Sequence, residues 1–273
     1  MGSNDIPPSH VPSYYLPVSN LLLLFGGTLW TLCYILFTHA SLQDHTYGMP
    51  LPALALNIAW ELIFSLYVSE TLLEKSVFSI WLLIDLGLVY GMLKYGREEW
   101  KVRPWVGRWL GSVFWSATAW CTLGMWAFCR WWIEERVGGG RIGKVYRGVK
   151  GEVDTTELGY WTAVVSQVYL SVASVVQLAI RRHTGGVTYS IWATRALGSL
   201  LGLHANYGWM WYHWREGHEY FMNSFSVFLW ATALVADAIY PFAFAYVRKI
   251  EKVGPDGRKM AGYLAVDERK KSQ

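Results

Sequence analysis

Seven apolar blocks divide the chain, at about 18–39, 50–68, 76–95, 106–129, 158–180, 188–211 and 221–247. Each is long enough to cross about 30 Å of hydrocarbon at 1.5 Å per residue, with some tilt. Short polar connectors separate them. The pattern predicts an all-α, polytopic membrane protein with seven transmembrane helices, in which residues 18–247 form one membrane domain. A polar stretch, 1–17, precedes it. Residues 130–157, which include Gly138-Gly-Gly140, interrupt it as a solvated connector, and the basic tail 248–273 follows as a disordered segment.

Composition agrees with the blocks. The chain is 53% hydrophobic and only 16% charged, where soluble domains carry about a quarter charged residues. Cys33, Cys121 and Cys129 lie in or beside apolar blocks, without metal-ligand or disulfide spacing, and read as packing residues. Met1 to Pro17 contains no Lys or Arg. The basic start of a cleavable signal is therefore missing, and the first block is expected to stay in the membrane.

Charge supplies an orientation. Lys and Arg number eight on the N-terminal side of the blocks and fifteen on the other side. The positive-inside rule then puts the N-terminus in the lumen and the C-terminus in the cytosol, with the endoplasmic reticulum as the expected membrane. A net charge of +4 spread over connectors suits lipid headgroups, not nucleic acid.

Beyond the Lys and Arg counted for orientation, one basic residue, Arg195, and three acids, Glu61, Asp85 and Asp237, fall inside the blocks. A charge at such depth costs a few kcal/mol even on mild insertion scales, so it marks a site by default. With the orientation above, Glu61 and Asp237 sit at nearly the same depth, and Asp85 and Arg195 lie within a turn or two. Asn57 and Glu61 are four residues apart on one face, flanked by Trp60 and Phe64. Asp237 shares a face with Tyr240 and Pro241, and Pro241 frees the carbonyl of Asp237 itself. Asp85, Arg195 and Asn57 are expected to tune the two acids. The structural alternative is that Arg195 pairs with Asp85 or Asp237 only to hold helices together.

The 17 Trp and 17 Tyr divide by position. Trp100, Trp105, Trp131, Trp132, Tyr212 and Trp214, near block ends, read as interfacial belts. Trp60, Phe64, Trp192, Trp230 and Tyr240 are candidates for a pocket whose ring faces stabilise a cation.

The strings Thr46-Tyr-Gly-Met-Pro50 and Asn57-Ile-Ala-Trp-Glu61 carry a resemblance. So do Gln177, Tyr189-Ser-Ile-Trp192, Arg195-Ala-Leu-Gly-Ser199 and Asp237-Ala-Ile-Tyr-Pro241. Over about residues 18–247 the chain resembles the seven-helix integral membrane terpene cyclases of fungal meroterpenoid and indole-diterpene pathways. The resemblance implies that Glu61 and Asp237 are the membrane-embedded acids that start the reaction. The substrate it implies is a farnesyl- or geranylgeranyl-type chain on an aromatic, polyketide or indole head group, with its distal alkene first made an epoxide. Either acid would protonate that epoxide (or an alkene), and neighbouring alkenes would then attack in sequence. The enzyme would be of lyase or isomerase type, with no metal and no cofactor, and a prenyltransferase and an epoxidase would stand upstream. Consistently, no Asp-Asp-x-x-Asp cluster for Mg²⁺ and diphosphate occurs in the sequence. The long 130–157 insertion and the charged tail depart from the family's pattern and leave the substrate's identity open. The rival from another class is a proton-coupled small-solute transporter, which would use the same acids as a relay.

Overall fold

Each apolar block becomes a helix whose ends lie within five residues of the block's, set by capping side chains as well as by hydropathy. The computed structural model describes residues 5–100, 104–135, 137, 145–146, 149–150, 153–254 and 257–262. Among them are seven helices: α1 (Tyr15–Asp44), α2 (Leu51–Val68), α3 (Leu72–Tyr95), α4 (Pro104–Glu134), α5 (Thr155–Arg181), α6 and α7 (Ser224–Ile250). α6 runs without a break through Tyr189–Ser199, a π-helical stretch Leu200–Ala205, and Asn206–His213. A 3₁₀ turn, Gly96–Trp100, prolongs α3. Thr71 and Glu74 form a capping box on α3. Asp154, Thr188 and Asn223 accept the N–H of Glu157, Ile191 and Ser226 at the starts of α5, α6 and α7. Each such cap contributes about 1 kcal/mol.

Five helices, α1, α2, α3, α5 and α7, are long and apolar enough to cross a membrane by length and composition. α4 and α6 fall short of that measure. Seven Trp and Arg108 dilute the hydropathy of α4, and Arg195, His204 and Asn206 that of α6.

α1 packs on α6 and α3, α2 on α4 and α3, and α5 on α7. The α1–α6 crossing is set by glycine. A Cβ on Gly26 would lie 2.6 Å from the Gly202 backbone, so the two helices meet main chain to main chain, as small residues allow inside bilayers. That approach brings the polar face of α6 into the interior.

At the end of the bundle where α1 meets α2 and α5 meets α6, two loops lock together. A Cβ on Gly48 would fall 2.1 Å from the Gly186 carbonyl, and Gly186 itself has φ +76°. Arg181 bonds the Tyr47 carbonyl at 2.6 Å, and Gln177 bonds that of Gly48 at 2.7 Å. Glu99 joins Arg181, His183 and Thr46. The Thr46–Pro50 string is therefore a structural clasp.

Several local expectations change. Trp132 and Trp214 are buried rather than interfacial, and the Trp132 indole donates to the Asp154 carbonyl at 3.1 Å. The polar N-terminus contributes strand β1 (Asp5–Ile6). It pairs with β2 (Val145–Tyr146), which pairs with β3 (Val149–Lys150), inside the 130–157 connector. In the tail, β4 (Glu251–Val253) and β5 (Lys259–Ala261) form a hairpin. It is moored by Glu251 on Thr184 and by Lys259 on Asp44 at 3.0 Å. Most of 136–152, including Gly138-Gly-Gly140, and the tail from 263 lie outside the described residues.

Candidate active site

Asn57, one turn before Glu61 on α2, is the hub of the first polar cluster. Its side-chain N–H group lies 3.0 Å from Glu61 Oε1, 2.8 Å from Asp85 Oδ2 on α3 and 2.9 Å from the Tyr34 hydroxyl on α1. Tyr34 donates back to Asn57 Oδ1 at 3.3 Å. Both acids are fully buried, at 0% exposure. Glu61 Oε2 and Asp85 Oδ1 have no hydrogen-bond partner among the described residues. Neither carboxyl forms a salt bridge there; they meet each other only through a neutral amide.

The second cluster is built on α5, α6 and α7. Arg195, 2% exposed, donates from Nη2 to Asp237 Oδ1 at 2.5 Å, and from Nη1 to Ser174 Oγ at 3.1 Å. Gln167 donates to Asp237 Oδ2 at 3.3 Å and to Ser171 at 2.9 Å, and accepts from Ser199 at 2.8 Å. Pro241 lies four residues after Asp237 within α7, so the Asp237 carbonyl has no helical N–H to accept. The Trp192 indole supplies one, at 2.9 Å. The Arg195 guanidinium also lies 5.4 Å from the Tyr240 ring centre.

Between the two clusters lies a cavity of about 150 Å³. Asn57 and Tyr34 wall it on one side, and Gln167 and Ser199 on the other. Each principal acid therefore sits one layer behind the wall, reached through a carboxamide. Six aromatic residues contribute to the wall, Trp30, Tyr34, Trp60, Phe78, Trp81 and Tyr207, among small and aliphatic ones. The rings hold one another, with Trp60 edge-on to Phe78 at 5.0 Å and Phe78 edge-on to Trp81 at 5.6 Å. The π-helical stretch of α6 supplies Gly202 and Leu203 to the same wall; such wide turns recur at functional sites.

The sequence profile of the Pyr4-like transmembrane terpene cyclases matches residues 5–250. The chain belongs to that family. It is similar to terpene cyclase ascF of Acremonium egyptiacum, 41% identical over 93% of this chain and 91% of the relative. Pyr4-family terpene cyclase mfmH of Annulohypoxylon moriforme is 33% identical over 88% of this chain and 91% of its own length. Terpene cyclase paxB of Penicillium paxilli is 30% identical over 90% and 93%. No solved structure matches the chain. Family membership disfavours the transporter reading.

The cyclase gathers some of the residues picked out from its sequence and separates others. Glu61, Asp85 and Asn57 form one cluster, and Arg195 and Asp237 the other. Of the five aromatic candidates only Trp60 lines the cavity. Phe64 backs Trp60 at 5.3 Å. Trp192 and Tyr240 border a smaller gap on the far side of Arg195. Trp230 stacks on Phe221 at 6.1 Å in a separate core cluster. Sequence reasoning missed Tyr34, Phe78 and Tyr207, and reached Ser199 only as the end of a family string; Trp30 and Trp81, tryptophans inside apolar blocks, and the polar Gln167 carried no assigned role. Tyr34 carried a faint signal, as a hydroxyl inside the first apolar block.

Proposed function

We propose that this terpene cyclase opens a terminal epoxide on a prenylated aromatic, polyketide or indole precursor by proton transfer from the Glu61–Asp85 pair. One observation carries this reading: an aromatic cavity lies between an acid pair that has no cation and an acid that has one. Two carboxylates sharing one neutral amide in a buried site repel, so the pair retains a proton. Asp237, held by Arg195, is the charged partner. A proton passes from the pair to the epoxide oxygen, which becomes a hydroxyl as its C–O bond breaks. Successive alkene π pairs close the rings. The last cation loses a proton toward Asp237 or is captured by a head-group oxygen or carbon. The six ring faces stabilise the travelling positive charge by roughly 0.5–2 kcal/mol each, and a site enclosed in apolar helices excludes water that would quench it.

In this reading all seven helices span the membrane, with the N-terminus lumenal and the C-terminus cytosolic, in the endoplasmic reticulum. A prenyltransferase and an epoxidase act upstream, because substrate chemistry requires a prenyl chain that is then oxidised. The activity is of lyase or isomerase type.

The test uses microsomes containing the protein, supplied with epoxidised farnesyl- and geranylgeranyl-headed arenes, with products identified by mass and NMR. Glu61→Gln and Asp237→Asn are each expected to lower cyclisation by about 10³-fold, within the range of general acid catalysis, while the protein stays inserted. If both variants cyclise at the wild-type rate, the acid-initiated reading is wrong.

A further inference from the structure

An apolar groove of about 600 Å³ opens on the outer surface between α4 and α5, which barely touch each other. Trp120, Gly124, Met125 and Phe128 line it from α4, and Trp161 and Thr162 from α5. Its inner wall is one side-chain pair thick. Trp60, whose ring lines the interior cavity, donates its indole N–H at 3.1 Å to the hydroxyl of Thr162, which lines the groove. Thr162 is fixed in turn, donating to the Leu158 carbonyl at 3.0 Å. The Trp60–Thr162 contact is where groove and cavity come together.

Size gives that junction a use. Pockets that enclose a drug-sized ligand run to about 300–1,000 Å³, and the cavity holds only about 150 Å³. A prenyl chain with its head group needs more room than that, and the groove is the apolar space beside it. Gly124 adds an independent observation. It sits inside α4, where glycine is among the poorest helix formers, yet a Cβ there would meet nothing within 4 Å. Nothing packs close enough to demand a glycine, and its small size keeps the groove open.

We infer that the α4–α5 groove is the lateral entrance for the prenyl chain, which passes from the bilayer to the cavity through a gate formed by Trp60 and Thr162. The inference rests on the cyclase reading above and adds the route and the second binding site. The groove is nearly all apolar, so it takes the chain; the distal epoxide leads toward Asn57 and the acid pair behind it, and the polar head group follows.

The experiment separates entry from chemistry. Glu61→Gln membranes are irradiated with a farnesyl arene that bears a diazirine at the chain's distal end, and labelled peptides are mapped by mass spectrometry. Labels are expected between 120 and 128 on α4 and between 161 and 165 on α5, competed by an unmodified farnesyl arene. In the otherwise wild-type enzyme, Gly124→Phe should lower kcat/KM at least tenfold. Leu123→Phe, one residue away, 58% exposed and outside the groove, should leave it unchanged. If Gly124→Phe fails to insert, Val165→Phe fills the groove from α5 and carries the same expectation. Labelling absent from the groove, or competed only by phospholipid, overturns the inference, as does wild-type kcat/KM in the groove-filled variant. Failure of the acid reading would appear separately, as cyclisation by Glu61→Gln whatever the labelling pattern.

Discussion

The two polar clusters are built alike and differ in one component. Each has a buried acid one layer behind the cavity wall, and each uses a carboxamide, Asn57 or Gln167, to face the cavity. The α5–α6–α7 cluster contains Arg195, 2.5 Å from Asp237. The α1–α2–α3 cluster contains a second acid, Asp85, where a cation would stand. Burial is nearly equal, so burial does not distinguish the acids. The nearest ionic neighbour does. Next to a guanidinium a buried acid gives up its proton, and next to another acid it keeps one. In the proposed reading, one bundle thereby presents a proton donor and a negative pole across the same cavity.

The strongest way to break this comparison is to remove the cation. Arg195→Met leaves Asp237 buried and unpaired, and is expected to cost about 3–5 kcal/mol of stability, read from denaturant unfolding in detergent. Adding Asp237→Asn removes the stranded charge and should recover most of the loss. Were the double variant as unstable as Arg195→Met alone, Asp237 would not be carrying the charge assigned to it.

The other cluster should respond differently. Asp85→Asn strands no cation, so stability is expected to stay within about 1 kcal/mol of wild type. Cyclisation should fall about tenfold with KM unchanged, because Asp85 acts on the donor and not on substrate binding; general acid catalysis as a whole supplies roughly 10²–10⁴-fold. A loss of stability matching that of Arg195→Met would mean that Asp85 has an ionic partner, and the contrast between the clusters would fail.

What the sequence makes legible follows the same physics. The helices are readable because a spanning segment must be apolar over a fixed length. Their ends differ by a few residues because caps such as Thr71 and Asp154 are polar and fall outside a hydropathy signal, while Asn223 caps α7 from inside an apolar block. Glu61, Asp85, Arg195 and Asp237 stand out by the cost of charge in an apolar run. The Asn57–Glu61 contact is one helical turn and is visible locally. The bonds that complete the site join residues 23, 28 and 70 positions apart, which only helix packing decides. Aromatic residues were the hardest to place. Trp60, Trp192 and Trp230 all lie inside apolar blocks, yet one lines the cavity, one bonds a freed carbonyl and one packs on Phe221. Of the clasp, only Gly48 shows in the sequence, inside a family string; Gly186 does not, since the clasp's cause is a contact between distant backbones.

The smallest effect probes how Asp237 is aimed. Pro241 removes the helical N–H that would bond the Asp237 carbonyl, and the Trp192 indole takes its place at 2.9 Å. Trp192→Phe keeps a ring of similar shape and loses that donor, so it should cost about 1 kcal/mol with a modest fall in kcat. Pro241→Ala returns an in-helix donor to the same carbonyl. In that background Trp192→Phe should cost less, giving a coupling energy of about 0.5 kcal/mol or more in a double-mutant cycle. Additive losses would mean that Trp192 acts only by filling space beside Arg195. In that case the second acid would be positioned by its ion pair alone, and the resemblance between the two clusters would extend no further than their carboxamides.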